Sequence, residues 1–381
     1  MRIAITHDWL DTWGGAELAL AEMLALFPDA DLFTLVDFMT PEYRARLRPR
    51  TTLTSFIQRL PFARTAFRRY LPLFPRAIEQ FDLSAYDLVI SSSHAVAKGA
   101  RTTPAQLHIC YCYTPMRYAW DLHDQYLSQV GLDKGVRGRV VRASLARLRR
   151  WDRIASGRVS HFVAISDTIA QRIHRCYGRD STVIYPPVAL PEPEHSAEAT
   201  RDAAYVTVSR LVPYKRVDLI VAAFRLLPDR RLVVIGDGPE RDRIAAAAGP
   251  NVELLGLVPD ATRDRWLATA RAFVFAAEED FGIAPLEAQA RGTPVIAYGR
   301  GGSLETIRGT ETAEPSGVLF AEQTPEGIAA GVRAFEADAH RFTPAACRAN
   351  AARFSADRFR REFAAFVAAR ATEFADRERP S

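Results

Sequence analysis

Lysine, closely paired cysteine and long apolar runs are all scarce in this sequence of 381 residues. Only three of its 50 basic residues are lysines, and its four cysteines form no C-x-x-C pair. This cysteine pattern excludes a disulfide-stapled secreted domain and favours a reducing compartment. No apolar run approaches the roughly 18 residues of a membrane span, and acidic residues interrupt the start of the chain where a signal peptide would lie. We therefore expect a cytoplasmic protein without a transmembrane helix.

The rest of the composition is typical of a folded protein with two domains. Hydrophobic residues make up 48% and charged residues 25% of the chain, with a net charge of +5, which excludes disorder, collagen and coiled coil. At roughly 100 to 200 residues per domain, the length predicts two or three domains.

Short β-branched runs alternate with helical patterns, which predicts parallel sheets with crossover helices. The predicted strands cover residues 2–6, 31–36, 88–92, 107–111, 161–165, 182–185, 205–209, 231–235, 252–255, 272–276, 294–297 and 317–320. The proline-dense residues 186–193 divide the strands into two sets. We expect two doubly wound α/β domains, residues 1–187 and 188–345, followed by C-terminal helices over 346–381. In that tail one helical face can carry Phe354, Phe359, Phe363 and Phe366.

In doubly wound sheets ligands bind at the carboxyl ends of strands. In the first half, Gly14 and Gly15 open a helix after the first strand, and His94 follows the strand at 88–92. Glycine lets a phosphate or sugar hydroxyl approach the positive end of a helix, and histidine can donate a hydrogen bond or move a proton near neutral pH. A plain turn and a capping or surface histidine would give the same sequence, so both alternatives stay open.

In the second half, Arg210 and Lys215 flank a loop after that domain's first strand, and Gly236 follows its second strand. Two cations at one strand end suit a diphosphate, which arginine holds with its planar fork and lysine as a point charge. The rarity of lysine favours a functional Lys215 over a solvated basic loop. The glycine turn lacks the G-x-G-x-x-G spacing of a nicotinamide dehydrogenase.

The most informative stretch follows the strand at 272–276. Glu279 lies at the strand end, Pro285 indicates a helix start, and Glu287 is predicted in the first helical turn. Free N–H groups before the helix can bind an anionic or hydroxylated ligand. They belong to Phe281, Gly282, Ile283 and Ala284. Carboxylates accept hydrogen bonds from vicinal hydroxyls, so both residues could bind a sugar. Alternatively, Glu279 is simply solvated and Glu287 complements the helix dipole.

Together these residues resemble the retaining glycosyltransferases of family four, which have the GT-B architecture. The resemblance covers nearly the whole chain, and its most specific part is the motif from Glu279 to Glu287. Residues 91–99 and 108–120 are similar to the O-antigen mannosyltransferase branch, which acts in lipopolysaccharide and other cell-surface polysaccharide synthesis. The implied fold is α/β, with two Rossmann-like parallel-sheet domains facing across a cleft and a C-terminal helix crossing back to the first domain.

The resemblance also implies roles for the candidate residues. Arg210 and Lys215 would hold the donor diphosphate without a metal or other cofactor. Glu279 would bind the sugar hydroxyls, Glu287 the ribose, and His94 would lie beside the sugar. The implied catalytic residues are His94, Glu279, Arg210 and Lys215. The implied donor-binding residues are Gly14, Gly15, Arg210, Lys215, Gly236, Val258, Glu279, Phe281, Gly282, Ile283 and Glu287.

The predicted reaction is transfer of a hexose, mannose from GDP-mannose, to a glycan or polyprenyl-linked acceptor with retained configuration. A GT-B sugar-nucleotide epimerase or hydrolase is the enzymatic alternative. The non-catalytic alternative is a relative that binds a membrane or a polyanion and has lost enzymatic activity. A glycosidase is less favoured, because a loop Glu279 and a helical Glu287 suit donor binding better than a scissile bond.

Arginine clusters in the first half predict peripheral contact with an anionic membrane at the inner face of the cell membrane. Residues 41–80 hold nine arginines against two acidic residues, and a second cluster runs from Lys134 to Arg153. Apolar and aromatic residues interrupt the first cluster, as in an interfacial segment. A solvated helical face is the alternative. Nucleic acid is not expected as a partner, because no base-reading motif accompanies the clusters.

Overall fold

The computed structural model describes residues 1–120, 135–191 and 202–378. The chain forms two compact units. Unit 1 comprises Met1–Pro187 and Ala356–Ser381, and unit 2 comprises Val188–Ser355. Lys134 of the second basic cluster and residues 192–193 of the proline-dense stretch lie outside the described residues.

Unit 1 is built on a seven-stranded parallel sheet in the order β3-β2-β1-β4-β5-β6-β7. Its strands are β1 (Ile3–His7), β2 (Asp31–Thr34), β3 (Thr51–Thr54), β4 (Leu88–Ser93), β5 (Leu107–Cys112), β6 (His161–Ala164) and β7 (Ser181–Val183). The helices in its described residues up to 177 are α1 (Gly15–Leu26), α2 (Pro41–Leu47), α3 (Ala63–Ala66), α4 (Phe74–Glu79), α5 (Arg117–Trp120), α6 (Gly135–Ser156) and α7 (Asp167–Tyr177).

Unit 2 has a six-stranded parallel sheet in the order β10-β9-β8-β11-β12-β13. The strands are β8 (Tyr205–Val208), β9 (Leu232–Ile235), β10 (Val252–Gly256), β11 (Phe273–Phe275), β12 (Val295–Tyr298) and β13 (Gly317–Phe320). The helices are α8 (Val217–Arg225), α9 (Arg241–Ala247), α10 (Asp260–Thr269), α11 (Ile283–Ala290), α12 (Ser303–Thr306), α13 (Pro325–Ala337) and α14 (Pro344–Ala352).

The apolar strand runs reflect a sheet that is buried on both faces. In unit 2, Tyr205 and Val234 belong to one hydrophobic core, while Val206 and Val233 belong to another. Successive side chains of a strand point to opposite faces, so the two cores lie on opposite faces of the sheet. This double burial explains why the strands are continuous apolar runs without alternation.

The C-terminal helix α15 (Ala356–Glu378) belongs to unit 1. Phe359 and Phe363 are fully buried in it, with ring centroids 5.6 and 5.8 Å from that of Tyr111 on β5. The prediction that four phenylalanines share one helical face is wrong for one of them. Phe354 precedes α15 and packs on Phe281 in unit 2, with ring centroids 5.5 Å apart, because the helical pattern is interrupted between α14 and α15.

All twelve predicted strands form, and the structure adds a thirteenth, β3. Its sequence, Thr-Thr-Leu-Thr, gives no apolar signal, because β3 is an edge strand with mostly exposed side chains. None of the helices in the described ranges combines the length and apolarity needed to cross a bilayer.

Candidate active site

The candidate residues lie in loops that follow parallel strands, one group in each unit. Gly14, Gly15 and His94 are in unit 1, and the other candidates are in unit 2. Because the carboxyl ends of parallel strands meet at one edge, each sheet brings its own group to that edge.

In unit 2 the structure joins two of the predicted residues directly. Lys215 and Glu279 form an ion pair although 64 positions separate them. Lys215 lies in the turn after β8, and Glu279 follows β11, the neighbouring strand. Their side chains are 19% and 18% exposed. Both side chains are thus mostly buried but still reach the surface at the sheet edge.

The turn that carries Arg210 is braced by the glycine turn after β9. The N–H of Leu211 donates to the carbonyl of Asp237 over 2.9 Å. Gly236 has a φ of +132°, and a Cβ there would overlap the carbonyl of Ser209. Glycine is therefore required at Gly236 for close packing of the two turns. From this fixed turn the exposed Arg210 makes no ion pair with any described residue.

Helix α11 begins two residues earlier than predicted, at Ile283, after Gly282 with a φ of +92°. Glu287 therefore lies in the second helical turn, and its prediction in the first turn was wrong. The Phe281 side chain is 4% exposed and belongs to the core of unit 2. The buried Phe281 therefore offers no exposed side chain to a ligand.

Glu287 is a half-buried carboxylate with unmet hydrogen-bonding capacity. Burial raises the pKa of its carboxyl above the ordinary value, and the charges of Arg263 and Arg291 only partly offset this. Within the described ranges no donor hydrogen-bonds to its carboxylate oxygens, although the Arg291 guanidinium donates to its backbone carbonyl over 3.0 Å. A ligand diol would supply the missing donors.

Val258 follows β10, and its half-buried side chain packs on the core of unit 2. In the sheet β10 is separated from β8 by β9, so these strands lie roughly 10 Å apart. Val258 is therefore not brought into the Lys215–Glu279 cluster. The spacing fits a ligand that extends along the sheet edge.

One glycine pair at this edge was missed by the sequence analysis. The N–H of Gly302 donates to the carbonyl of Glu279 over 2.8 Å. A Cβ at Gly302 would overlap the backbone of Phe281, and Gly301 has a φ of +60°. The available signal was a Gly-Gly pair shortly after the predicted strand at 294–297, the same signal that drew attention to Gly14 and Gly15.

In unit 1, His94 is held by a buried carboxylate that the sequence analysis also missed. The Nδ1 atom of His94 lies 3.1 Å from Oδ2 of Asp8. The Asp8 carboxylate accepts four backbone hydrogen bonds over 2.6, 2.9, 2.6 and 2.7 Å, from the N–H groups of His94, Ala95, Val96 and Ala97. Burial opposes ionisation of Asp8, but His94, His7 and these donors hold the pKa of its carboxyl below the ordinary value.

His94 is a neutral hydrogen-bonding group at neutral pH. Desolvation lowers the pKa of its imidazole, although the Asp8 charge opposes the shift. The carboxylate at Nδ1 favours the tautomer with its proton there, which leaves Nε2 as an acceptor. The His94 side chain is 25% exposed, and its ring meets that of Trp9 edge-on with centroids 4.4 Å apart.

A second histidine and carboxylate lie beside the Gly14 turn. His7 Nε2 is 3.6 Å from Glu17 Oε1, and His7 Nδ1 is 2.9 Å from the hydroxyl of Ser92. A Cβ at Gly14 would lie 3.2 Å from Glu17 Oε2. Gly14 therefore also leaves room for a buried carboxylate, a packing role that the sequence could not distinguish from ligand approach. Gly15 is the first residue of α1.

The loop after His94 is anchored by one of the rare lysines. Nζ of the buried Lys98 lies 2.7 Å from Oδ1 of Asp152 and donates to the carbonyl of Ala95 over 2.6 Å. Asp152 also accepts hydrogen bonds from Trp120 and Tyr177, over 2.8 and 2.7 Å. Lys98 is thus a buried structural group.

Two family models match consecutive parts of the chain. Residues 13–191 match the model described as Glycosyltransferase Family 4, and residues 191–354 match Glycosyl transferases group 1. Over residues 13–354 the chain belongs to the glycosyltransferase families that these two models describe. Among the alternatives that the sequence left open, these matches favour a glycosyltransferase family over an epimerase or a hydrolase.

Curated relatives match shorter parts of this glycosyltransferase. A GDP-mannose-dependent monoacylated alpha-(1-6)-phosphatidylinositol monomannoside mannosyltransferase of Corynebacterium glutamicum is 36% identical over 114 residues, 26% of this chain and 30% of that protein. A D-inositol 3-phosphate glycosyltransferase of Kineococcus radiotolerans is 30% identical over 227 residues, 49% of this chain and 51% of that protein. The chain spans about half or less of the length of these relatives.

The fold of this glycosyltransferase is shared with solved GT-B enzymes. Anabaena HepE, solved in complex with UDP and glucose, has a TM-score of 0.67 at 20% identity, covering 96% of this chain and 99% of HepE. The predicted α/β class with two Rossmann-like parallel-sheet domains is confirmed.

Proposed function

We propose that this glycosyltransferase transfers mannose from GDP-mannose to a lipid-linked glycan in cell-surface polysaccharide synthesis. The Lys215–Glu279 pair carries the donor-site proposal. A cation suited to phosphate and a carboxylate suited to sugar hydroxyls meet at a strand end, where ligands of such sheets bind. The mannosyltransferase of C. glutamicum supports mannose and GDP as the first donor to test.

In the proposed reaction the bond between C1 of the sugar and the β-phosphate oxygen breaks, and its electron pair goes to that oxygen. Negative charge therefore grows on the diphosphate. Arg210 and Lys215 stabilise this charge, each in its own way: the guanidinium binds two oxygens and the ammonium acts as a point charge. We propose that these cations make a divalent metal unnecessary.

The two carboxylates divide the remaining donor contacts. When phosphate binds Lys215, Glu279 is released to accept hydrogen bonds from the hexose hydroxyls. Glu287 accepts hydrogen bonds from the ribose hydroxyls, because no described residue donates a hydrogen bond to its carboxylate. In unit 1, the neutral His94 can hydrogen-bond to a hydroxyl group. We propose that an acceptor hydroxyl oxygen bonds to C1 on the face from which the diphosphate leaves and passes its proton to the departing β-phosphate oxygen, so the configuration at C1 is retained.

A cavity of about 480 Å³ in unit 1 supports an amphipathic acceptor. Its lining includes the apolar Pro75, Leu148 and Trp151, and the guanidinium-bearing Arg76 and Arg147. The volume falls within the range of ligand pockets. The lining also includes the carboxylate of Glu79, which pairs with Arg101 and Arg158. We propose that the apolar part takes the aliphatic chain of a polyprenyl-linked glycan and that Arg76 and Arg147 face its phosphate.

The proposal is tested by incubating the full chain with labelled nucleotide sugars and a polyprenyl-diphosphate-linked acceptor. Label should move from GDP-mannose to the lipid fraction at a rate that EDTA leaves unchanged. Transfer from UDP-glucose alone would contradict the choice of donor, and loss of activity in EDTA that Mg²⁺ restores would contradict metal independence. Release of free sugar without transfer would contradict the transferase proposal.

A further inference from the structure

One turn of unit 1 holds an aromatic ring out into solvent. The Phe62 side chain is 81% exposed, and its backbone lies in the left-handed region with φ 56° and ψ 16°. This conformation is unfavourable for a bulky residue. Exposure forfeits the stabilisation that burying the ring would give. Strained residues of this kind concentrate at functional sites.

The turn is rigid, so the ring is presented rather than free to fold back. The hydroxyl of Tyr70 donates to the carbonyl of Pro61 over 2.8 Å. The N–H groups of Thr65 and Ala66 donate to the carbonyl of Phe62 over 3.1 and 2.8 Å. Ala63, the next residue, is buried in the core of unit 1. These bonds anchor both sides of the turn and leave the Phe62 ring outside.

The segment that contains Phe62 carries positive charge that acidic residues compensate only in part. Residues 43–78 contain nine arginines and no aspartate or glutamate. Arg68 pairs with Asp11, and three other arginines of the segment pair with acidic residues outside it, namely Arg44, Arg46 and Arg50. Three exposed arginines within seven positions of Phe62 along the chain make no ion pair with any described residue. They are Arg59, Arg64 and Arg69.

We infer that the turn of residues 60–64 inserts the Phe62 ring into an anionic bilayer surface, with arginines on the lipid phosphates. This inference rests on the proposed lipid-linked acceptor and deepens it by naming the contact with the membrane. A single ring among unpaired arginines matches an interfacial anchor, which combines buried apolar area with attraction to anionic lipids. A protein partner would need a far larger contiguous contact, about 800 Å² on each side.

Vesicle cosedimentation of the full chain tests the inference. Wild type should bind vesicles of phosphatidylcholine with phosphatidylglycerol, bind phosphatidylcholine alone weakly, and dissociate as salt rises. Phe62→Asn suits the left-handed backbone, so we expect an equal or higher Tm together with about tenfold weaker vesicle binding. Arg64→Glu should weaken binding to the anionic vesicles and leave the Tm unchanged.

Two matched variants in unit 2 serve as controls. Leu226 is an exposed apolar residue without backbone strain, and Arg225 is an exposed arginine. Leu226→Asn and Arg225→Glu should bind vesicles as wild type does. Equal vesicle binding by Phe62→Asn and wild type would overturn the inference, as would Phe62-dependent self-association without vesicle binding.

Nucleotide binding by the same samples separates this inference from the proposed function. A protein stabilised by GDP that fails to bind anionic vesicles would overturn the membrane contact and leave the donor site intact. A protein that binds vesicles through Phe62, but is stabilised by no nucleoside diphosphate, would support the membrane contact and contradict the proposed function.

Discussion

Asp8 and His94 are joined twice: the His94 N–H donates to Oδ2 of Asp8 over 2.6 Å, and the ring atom Nδ1 lies 3.1 Å from the same oxygen. The carboxylate therefore fixes the backbone of the unit 1 candidate by a hydrogen bond and lies close beside its ring. Because Asp8 is fully buried, its charge is stabilised by the four backbone N–H groups that donate to it.

Asp8→Asn should destabilise the protein by about 3 kcal/mol at neutral pH. The side-chain NH₂ group of asparagine would face backbone N–H groups that now donate to a carboxylate oxygen, and those groups would lose their acceptor. The pKa of the Asp8 carboxyl is lower in the folded than in the unfolded chain, where it is near 3.8. Its stabilising contribution is therefore present above that value and is lost as pH falls through the lower folded pKa. Urea unfolding should show the wild-type advantage shrinking in acid, and a pH-independent difference would contradict the account.

Lys98→Met should cost about 3 to 5 kcal/mol, because Asp152 is left buried without its cation. The pKa of Lys98 is raised above 10.5, since attraction to Asp152 outweighs desolvation. Its contribution is complete below the unfolded pKa and is lost only as pH rises through the higher folded value. The loss measured by urea unfolding should be constant between pH 6 and pH 9. A Lys98→Met protein as stable as wild type would contradict a structural ion pair.

Gly236→Ala should destabilise unit 2 by about 2 kcal/mol or more beyond a matched control, because the new methyl group overlaps Ser209. The control is Gly256→Ala in the same sheet. Gly256 also has positive φ, +70°, but the nearest atom to an added Cβ is 3.7 Å away on the flexible Arg241 side chain. Similar Tm values for the two variants would show that the turns after β8 and β9 can separate freely.

Glu287→Gln should raise the Tm and weaken nucleotide binding at once. Burial raises the pKa of Glu287 above 4.5 in the folded chain, so the ionised carboxylate lowers stability increasingly as pH rises from that value through the folded pKa. The neutral amide removes this cost and also one acceptor for the ribose. Calorimetry with and without GDP measures both effects, and a lower Tm would contradict the electrostatic argument.

The sequence predicts the sheets well because the parallel strands are buried on both faces and read as apolar runs. It also predicts the Lys215–Glu279 site, since residues after parallel strands meet at one edge. Threonine-rich β3 was missed because an exposed edge strand needs no apolar residues.

The roles of Asp8 and Lys98 could not be predicted in the same way. Asp8 binds backbone N–H groups that begin 86 positions away, and these have no side-chain signature. The partner of Lys98, Asp152, lies on α6 in a stretch rich in arginine and otherwise typical of a solvated helix. Burial alone distinguishes these charges from surface charges, and burial depends on tertiary packing.

The central claim is that Arg210 and Lys215 hold a nucleoside diphosphate at the carboxyl end of the unit 2 sheet. Isothermal titration of GDP and UDP into wild type, Arg210→Ala, Lys215→Met and the control Arg225→Ala tests it most directly. We expect GDP to bind wild type and Arg225→Ala equally, and each site variant at least about tenfold more weakly, as for a lost charge-assisted hydrogen bond. Unchanged affinity in both site variants, or no binding of either nucleotide to wild type, would contradict the account.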